Sequence, residues 1–466
     1  MDWIGTHIEI TVTVAATLLA AVWMLQQRRT PQSAAAWLLA FVAIPYVALP
    51  AFLLLGIRKE GAGAPRLDFG APTPQAPASC AEAKPPLAAT LRALGAPAAE
   101  PGNRIAIQSG AREGWDALAG TIASAREGID ATFYLVSNDD VGRRFVEMLT
   151  ARAREGVRVR LIIDRLGGFL RPRAALRELT EAGGELRYFS PLLQRPGRGH
   201  LNLRNHRKML IADRARVFAG GRNVGRDYLD PGGNPGAWHD LSYVAEGPVV
   251  RAHAEVFASD WAAAGPRGPA ASGDVAQAEM GPVHDAPEGG ALAQLVPSGP
   301  DMRRDAFHDA LVQAIHAARA RVWVATPYFL PTEALEGALR VAARRGLDVR
   351  VLVPARSNHP VTDVARGAYL RSLAVAGARV MQLEGRMMHA KAGVVDDAAW
   401  LGSPNLDVRS MLLNFESALF LYDAPSVERI AAWFEALAEG APEGVAPAGR
   451  GRQVMEGLMR LGAPVL

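Results

Sequence analysis

Apolar positions in this chain follow two different rhythms. Near the N-terminus they form unbroken runs. Ile10 to Leu25 is uncharged for 16 residues and Ala34 to Ile57 for 24. The second run is long enough to cross a bilayer as a helix. Together they predict a membrane hairpin of two transmembrane helices over residues 1–60. Arg28 and Arg29 fall between the runs, Arg58 and Lys59 follow, and Trp3, Trp23, Trp37 and Tyr46 are candidates for the interfaces. Pro45 and Pro50 should bend the second helix. A secretory signal fits poorly, because Asp2 rather than a basic residue precedes the first run and a second run follows. Two basic residues on each side of the second run leave its orientation open.

From Asn103 onward the apolar positions alternate between helical and strand spacing, and they do so twice. The first cycle is a helix around Asp116-Ala117-Leu118, Ile122 and Ala125, a strand at Ile129 to Leu135, a helix from Gly142 to Arg154 and a strand ending at Asp164. The second is a helix around Asp309-Ala310-Leu311, Ile315 and Ala318, a strand from Val322, a helix from Glu333 to Arg345 and a strand ending at Pro354. Such self-similarity predicts an internally duplicated α/β fold, its halves related by a pseudo-twofold axis. The expected boundaries are a first domain over 103–263 and a second over 291–466. Linkers rich in Pro, Gly and Ala are expected at 61–102 and 264–290, and a further helix over Ser426 to Leu437, then a tail.

Composition narrows the function only slightly. Length suits two or three domains, and a formal charge of +4 fits an anionic partner, lipid or nucleic acid. The lone Cys80 excludes an internal disulfide or a zinc cluster. Lysine usage is more informative. Of 51 basic residues only Lys59, Lys84, Lys208 and Lys391 are lysines. Two of these four stand in a repeated pattern, HxKxxxxD: His206, Lys208, Asp213, and again His389, Lys391, Asp396. Each copy closes on an apolar run, Met209 to Ala212 and Ala392 to Val395, and leads to a Gly-rich turn carrying Asn223 or Ser403 and Asn405. On an extended segment His and Lys at i and i+2 point the same way. An ammonium kept where Arg has replaced Lys elsewhere suits a phosphate oxygen as a point charge.

Two such motifs at one interface suggest a nucleophile and a general acid. One imidazole attacks phosphorus and the other protonates the departing alcohol, then deprotonates the acceptor. Lys208 and Lys391, with the Asn223 and Asn405 amides, would hold the equatorial oxygens. Asp213 and Asp396 would orient the imidazoles or neighbouring groups. No HxH, HExxH or CxxC set accompanies them, so neither metal nor cofactor is expected. Of the remaining histidines, His239 and His359 stand out for testing.

These residues resemble the phospholipase D superfamily, and within it the bacterial cardiolipin synthases with an N-terminal membrane hairpin. The likeness extends to Trp238-x-Asp240, to Gly402-Ser403-x-Asn405-x-Asp407-x-Arg409-Ser410 and to Leu413-Asn414-Phe415-Glu416. It implies two tandem phospholipase D-like α/β domains and a multi-pass enzyme of the bacterial inner membrane. It implies phosphatidylglycerol and other anionic lipids as partners, rather than nucleic acid, and no cofactor. The expected reaction joins two phosphatidylglycerols into cardiolipin and releases glycerol, with His206 as nucleophile, His389 as acid/base, Ser403 among the phosphate-binding groups and Glu416 in support. Hydrolysis, or transfer to another alcohol, is the alternative. Oligomeric state and the side of the membrane the site faces are left open.

Overall fold

The computed structural model describes residues 3–26, 31–56, 67–69, 85–189, 203–265 and 290–461. Arg28, Arg29, Arg58, Lys59, Cys80 and most of the two expected linkers lie outside these residues. The first apolar run is helix α1 (Trp3–Gln26), of which His7–Gln26 is long and apolar enough to cross a membrane, with mean hydropathy 2.0. The second is interrupted. It forms α2 (Pro31–Ala43), breaks at Ile44 (φ −143°), resumes as α3 (Pro45–Ala51) and ends in a π-helical turn, Phe52–Gly56. The prolines account for this, since Pro45 starts α3 where its missing N–H costs nothing. Phe52 fills the junction edge-on to Trp23, Trp37 and Phe41 at 5.9, 5.2 and 5.3 Å.

The duplication is complete in the strands of the main, 14-stranded sheet. The first half supplies β1 (Glu100–Gln108), β2 (Gly128–Phe133), β3 (Arg158–Asp164), β4 (Glu185–Phe189), β5 (Met209–Ala212), β6 (Arg216–Gly220) and β7 (Ser242–Glu246). The second supplies β8 (Ala291–Ser298), β9 (Arg321–Ala325), β10 (Asp348–Pro354), β11 (Arg379–Leu383), β12 (Ala392–Val395), β13 (Ala398–Gly402) and β14 (Glu416–Leu421). Hydrogen bonds order them β11-β10-β9-β12-β13-β14-β8-β1-β7-β6-β5-β2-β3-β4. This order reads the same from either end when each strand is exchanged for its counterpart, so the pseudo-twofold axis passes between β8 and β1. At their contact β1 shifts register between Glu100 and Asn103, the kind of irregularity that turns a sheet.

The helices are α4 (Pro86–Ala93), α5 (Ala111–Ser124), α6 (Asp140–Arg154), α7 (Arg173–Glu181), α8 (Val249–Ala263), α9 (Ala306–Ala317), α10 (Glu333–Arg344), α11 (Pro360–Ala365), α12 (Gly367–Val375), α13 (Val408–Leu412), α14 (Ala424–Glu439) and α15 (Arg450–Leu461). Side-chain alternation along the strands then divides the apolar content into layers. Leu210 and Ala212 point outward to the core beneath α5–α7. Met209 and Ile211 point inward, where they join Ala392 and Val394 of the other half and Val256, Phe257, Ile430 and Phe434 of α8 and α14. The inner faces of both halves thus share one core, and that holds the two motifs in fixed relation. Two segments read as linker and tail are structured. Leu91 of α4 is buried in the second half's outer core, and α15 buries Glu456 against Arg371 and Arg452.

Candidate active site

Each His–Lys segment is extended and runs directly into its apolar strand, β5 or β12. Each also crosses to the opposite half. The His206 N–H donates to Phe415 O at 2.8 Å, and Phe415 N–H to Arg204 O at 2.9 Å. On the other side His389 N–H donates to His239 O at 2.7 Å, and His239 N–H to Met387 O at 2.9 Å. These bridges carry the carboxylate that follows Phe415 or His239 onto the other half's imidazole. Glu416 lies 3.0 and 3.1 Å from His206 Nδ1. Asp240 lies 2.7 Å from His389 Nδ1. Gly221 makes room for this second carboxylate, because a Cβ there would sit 2.2 Å from Asp240 Oδ1.

The ionisation of these groups follows from burial and mutual charge. Burial alone would raise Asp240, but Lys391 and His389 outweigh it and bring it down to about 2. Burial likewise opposes Glu416, and His206 and Lys208 still hold it below the ordinary value. Both are therefore carboxylates, each accepts a proton from Nδ1, and each leaves Nε2 with its lone pair. Burial lowers His206, with Lys208 and Lys391 adding to the effect while Glu416 resists. Burial and Lys391 push His389 down to about 3. Both imidazoles are neutral at pH 7. Burial brings Lys391 down to about 8 and places Lys208 well below its usual range, despite Asp240 and Glu416. Each imidazole meets the opposite half's carboxylate, and Lys391 acts on His206 as Lys208 does on His389, so these groups gather in one site. The imidazole side chains keep 14% and 5% exposure.

Surrounding groups fix the pair. Tyr134 meets His206 edge-on at 5.1 Å, and Tyr228 meets His389 in the same way at 5.1 Å. Lys391 Nζ lies 2.7 Å from His389 Nδ1 and 3.0 Å from Nε2, and Lys208 Nζ donates to His206 O. Ser403 Oγ donates to Glu416 Oε2 at 2.5 Å, which places it behind the carboxylate. Asn223 lies beside Tyr228, and Asn405 beside Asp407. His239 contributes its backbone to the site, while His359 packs on Tyr328, itself 6.5 Å from His389.

Asp213 and Asp396 require a correction. Neither touches an imidazole. Asp213 accepts the N–H groups of Arg126, Glu127 and Gly128 at 2.8, 2.8 and 2.9 Å. Asp396 accepts those of Arg319, Ala320 and Arg321 at 2.8, 2.9 and 3.0 Å. The cause is strand geometry. Seven extended residues carry the chain roughly 20 Å, so the Asp ends at the far edge of the sheet from its His. There it sits at positive φ, 51° and 48°, and ties the turn to the start of β2 or β9. Asp240 takes the orienting role instead. Its available signal was positional: it stands just before β7, as Glu416 stands at the head of the equivalent β14. Also unforeseen was Arg207, buried between the motif residues. It pairs with Asp260 at 2.6 Å and Asp301 at 2.8 Å and donates to Glu416 O at 3.1 Å, which rivets the motif to both halves.

Two neutral imidazoles converging from halves of a doubled sheet, with an ammonium beside each, belong to a phosphotransfer enzyme of the phospholipase D type. The family model for the cardiolipin synthase, phospholipase D-like domain matches residues 118–261 and 311–438, one segment in each half. Cardiolipin synthase A of Pseudomonas putida (strain W619) is 32% identical over 96% of this chain and 96% of its own length. That of Pseudomonas syringae pv. syringae (strain B728a) is 33% identical over 87% and 86%. The chain belongs to the cardiolipin synthase family of phospholipase D-like enzymes, and it is a phosphatidyltransferase. Its fold is shared by phosphatidylserine synthase of Haemophilus influenzae Rd KW20, with 14% identity, a TM-score of 0.57 and coverage of 78% of this chain and 93% of that one.

Proposed function

We propose that the enzyme makes cardiolipin from two phosphatidylglycerols and releases glycerol, through a phosphohistidine on His206. The observation that carries this reading is the reciprocal pairing of each imidazole with the other half's carboxylate, which leaves both Nε2 atoms available at one site. In the first step His206 Nε2 attacks phosphorus and the bond to the glycerol oxygen breaks. That oxygen takes a proton from His389 Nε2, whose imidazolium Asp240 stabilises. The bound phosphodiester anion offsets the two ammoniums that otherwise hold His389 low, so Nε2 takes up from water, as substrate binds, the proton that it then gives to this oxygen. In the second step a hydroxyl of another phosphatidylglycerol gives its proton to His389 and attacks phosphorus, and the P–N bond breaks. Lys208 and Lys391 balance the charge on the equatorial oxygens, while Asn223, Ser403 and Asn405 hold the groups around them.

The curated relatives support cardiolipin as the product. Helix α1, with the bent segment after it, supports anchorage in the bacterial inner membrane by more than one pass. Lipid analysis of purified full-length protein with phosphatidylglycerol vesicles tests the reading. Cardiolipin and glycerol in equal amounts are expected. Phosphatidic acid alone would make water the acceptor, and no turnover would overturn the assignment.

A further inference from the structure

The loop after β3 is built differently from an ordinary surface turn. Its polar groups face inward and its apolar side chains face out. Leu166 and Gly167 N–H groups bind Asp164 Oδ1, Asn138 N–H binds Leu170 O, and Arg171 binds Gly168 O and the Tyr188 hydroxyl. Gly167 and Gly168 let the loop lie flat, since Cβ atoms there would meet Tyr134 O at 2.3 Å and Ile163 Cγ2 at 2.5 Å. Leu166, Phe169 and Leu170 are left 50%, 61% and 73% exposed within five residues. Exposed apolar residues are usually scattered singly, so a cluster held out by a pinned backbone calls for a partner. The charge carried by the loop and the first turn of α7 has one sign. Residues 165–177 contain Arg165, Arg171, Arg173 and Arg177 and no Asp or Glu.

The loop is also joined to the site. Asp164, which caps it, accepts Asn205 N–H at 3.0 Å, one residue before His206, and Gly167 rests on Tyr134, the ring against His206. We infer that this loop inserts Leu166, Phe169 and Leu170 into an anionic phospholipid bilayer, with the exposed Arg173 and Arg177 at the head groups, and so seats the His206 side of the site on the membrane surface. Apolar side chains beneath a ring of basic ones are the pattern of interfacial binding. The inference rests on the lipid-transfer reading above and adds the contact through which lipid reaches the site.

The test uses full-length protein in phosphatidylglycerol bilayers. In a Cys80→Ser background, Phe169→Cys carries an environment-sensitive fluorophore. Val375→Cys is the control, being 85% exposed at the end of α12 remote from the motif-bearing ends of the strands. Blue-shifted emission, quenched by nitroxide-labelled acyl chains at 169 and not at 375, is expected. No shift at 169, or equal quenching at both sites, overturns the inference. In parallel, Phe169→Glu/Leu170→Glu should lower turnover of vesicular phosphatidylglycerol by about tenfold or more. Turnover of a short-chain, monomerically dispersed phosphatidylglycerol should be unchanged. An equal loss on both substrates, or none on vesicles, overturns it. If the wild type turns over neither substrate, the functional reading fails while the fluorescence still decides the contact.

Discussion

Replacing Asp240 by Asn keeps size and shape but removes the charge that supports the His389 imidazolium. The two carboxylate oxygens have separate duties. Oδ1 accepts Leu241 N–H at 2.8 Å and Oδ2 accepts the His389 Nδ1 proton at 2.7 Å. An amide has one acceptor oxygen. If it stays with Leu241, the NH2 group faces Nδ1 and forces the imidazole into the tautomer with its proton on Nε2, where it cannot act as base. The lost charge adds to this. A carboxylate and an imidazolium about 4 Å apart attract by about 4 kcal/mol at an effective dielectric near 20. Discounting for a retained neutral hydrogen bond leaves about 3–4 kcal/mol, or roughly 10²- to 10³-fold in kcat. The assay is steady-state cardiolipin formation from phosphatidylglycerol vesicles, with thermal unfolding to confirm that the variant folds. KM should change far less than kcat, because the charge matters mainly when His389 is protonated. A folded Asp240→Asn enzyme with kcat within about fivefold of wild type would refute the orienting role.

Asp213→Ala and Asp396→Ala should each cost about 2 kcal/mol of stability, through three unanswered backbone N–H groups at partly exposed turns. They should leave kcat of the folded protein within a few-fold, and a thermal melt paired with active-site-normalised turnover checks both. Arg207→Ala strands Asp260, which burial already pushes up to about 6 even beside this guanidinium, together with buried Asp301. A loss of about 3–5 kcal/mol is expected in denaturant unfolding, and an unchanged midpoint would refute it. The pH profile of kcat/KM should fall as pH rises through about 8, because Lys391 must be protonated to hold phosphate and its folded-state value is about 8. Its acid limb should lie below 6.5, since the His206 imidazole is lowered from that value and must be neutral to attack phosphorus. A rate still rising at pH 9 would contradict the ammonium's role.

What the sequence disclosed was local. Apolar runs located β5 and β12 to the residue. Of the helix starts, Glu333 was read to the residue, whereas Gly142 and Ser426 lie just inside helices that begin at Asp140 and Ala424; the caps Asp139, Thr332 and Asp423, each accepting an N–H three residues on, mark the true starts. Helix α4 was obscured by the proline-rich stretch before it, although Leu87, Leu91 and Leu94 carry a helical spacing. Helix α15 was obscured by Gly451 and Gly457, which lower propensity in a segment whose order comes from Glu456 docking between two arginines.

The misreading of Asp213 and Asp396 has the same root. Nearness in sequence suggested nearness in space, yet a strand is the element that carries residues apart fastest, at about 3.3 Å each. The carboxylates that do meet the imidazoles lie 210 and 149 residues away, beyond any periodicity. Their placement comes instead from the symmetry of the fold. Once each His–Lys segment crosses to pair with the strand entrance of the other half, a carboxylate at that entrance must face the opposite imidazole, and the pseudo-twofold axis makes the arrangement happen twice. An isolated half would therefore hold an imidazole without its carboxylate and a buried ammonium without its counter-charge. Such a half would be short of more than a second catalytic group, because burial would leave its own His and Lys with neither orientation nor charge balance.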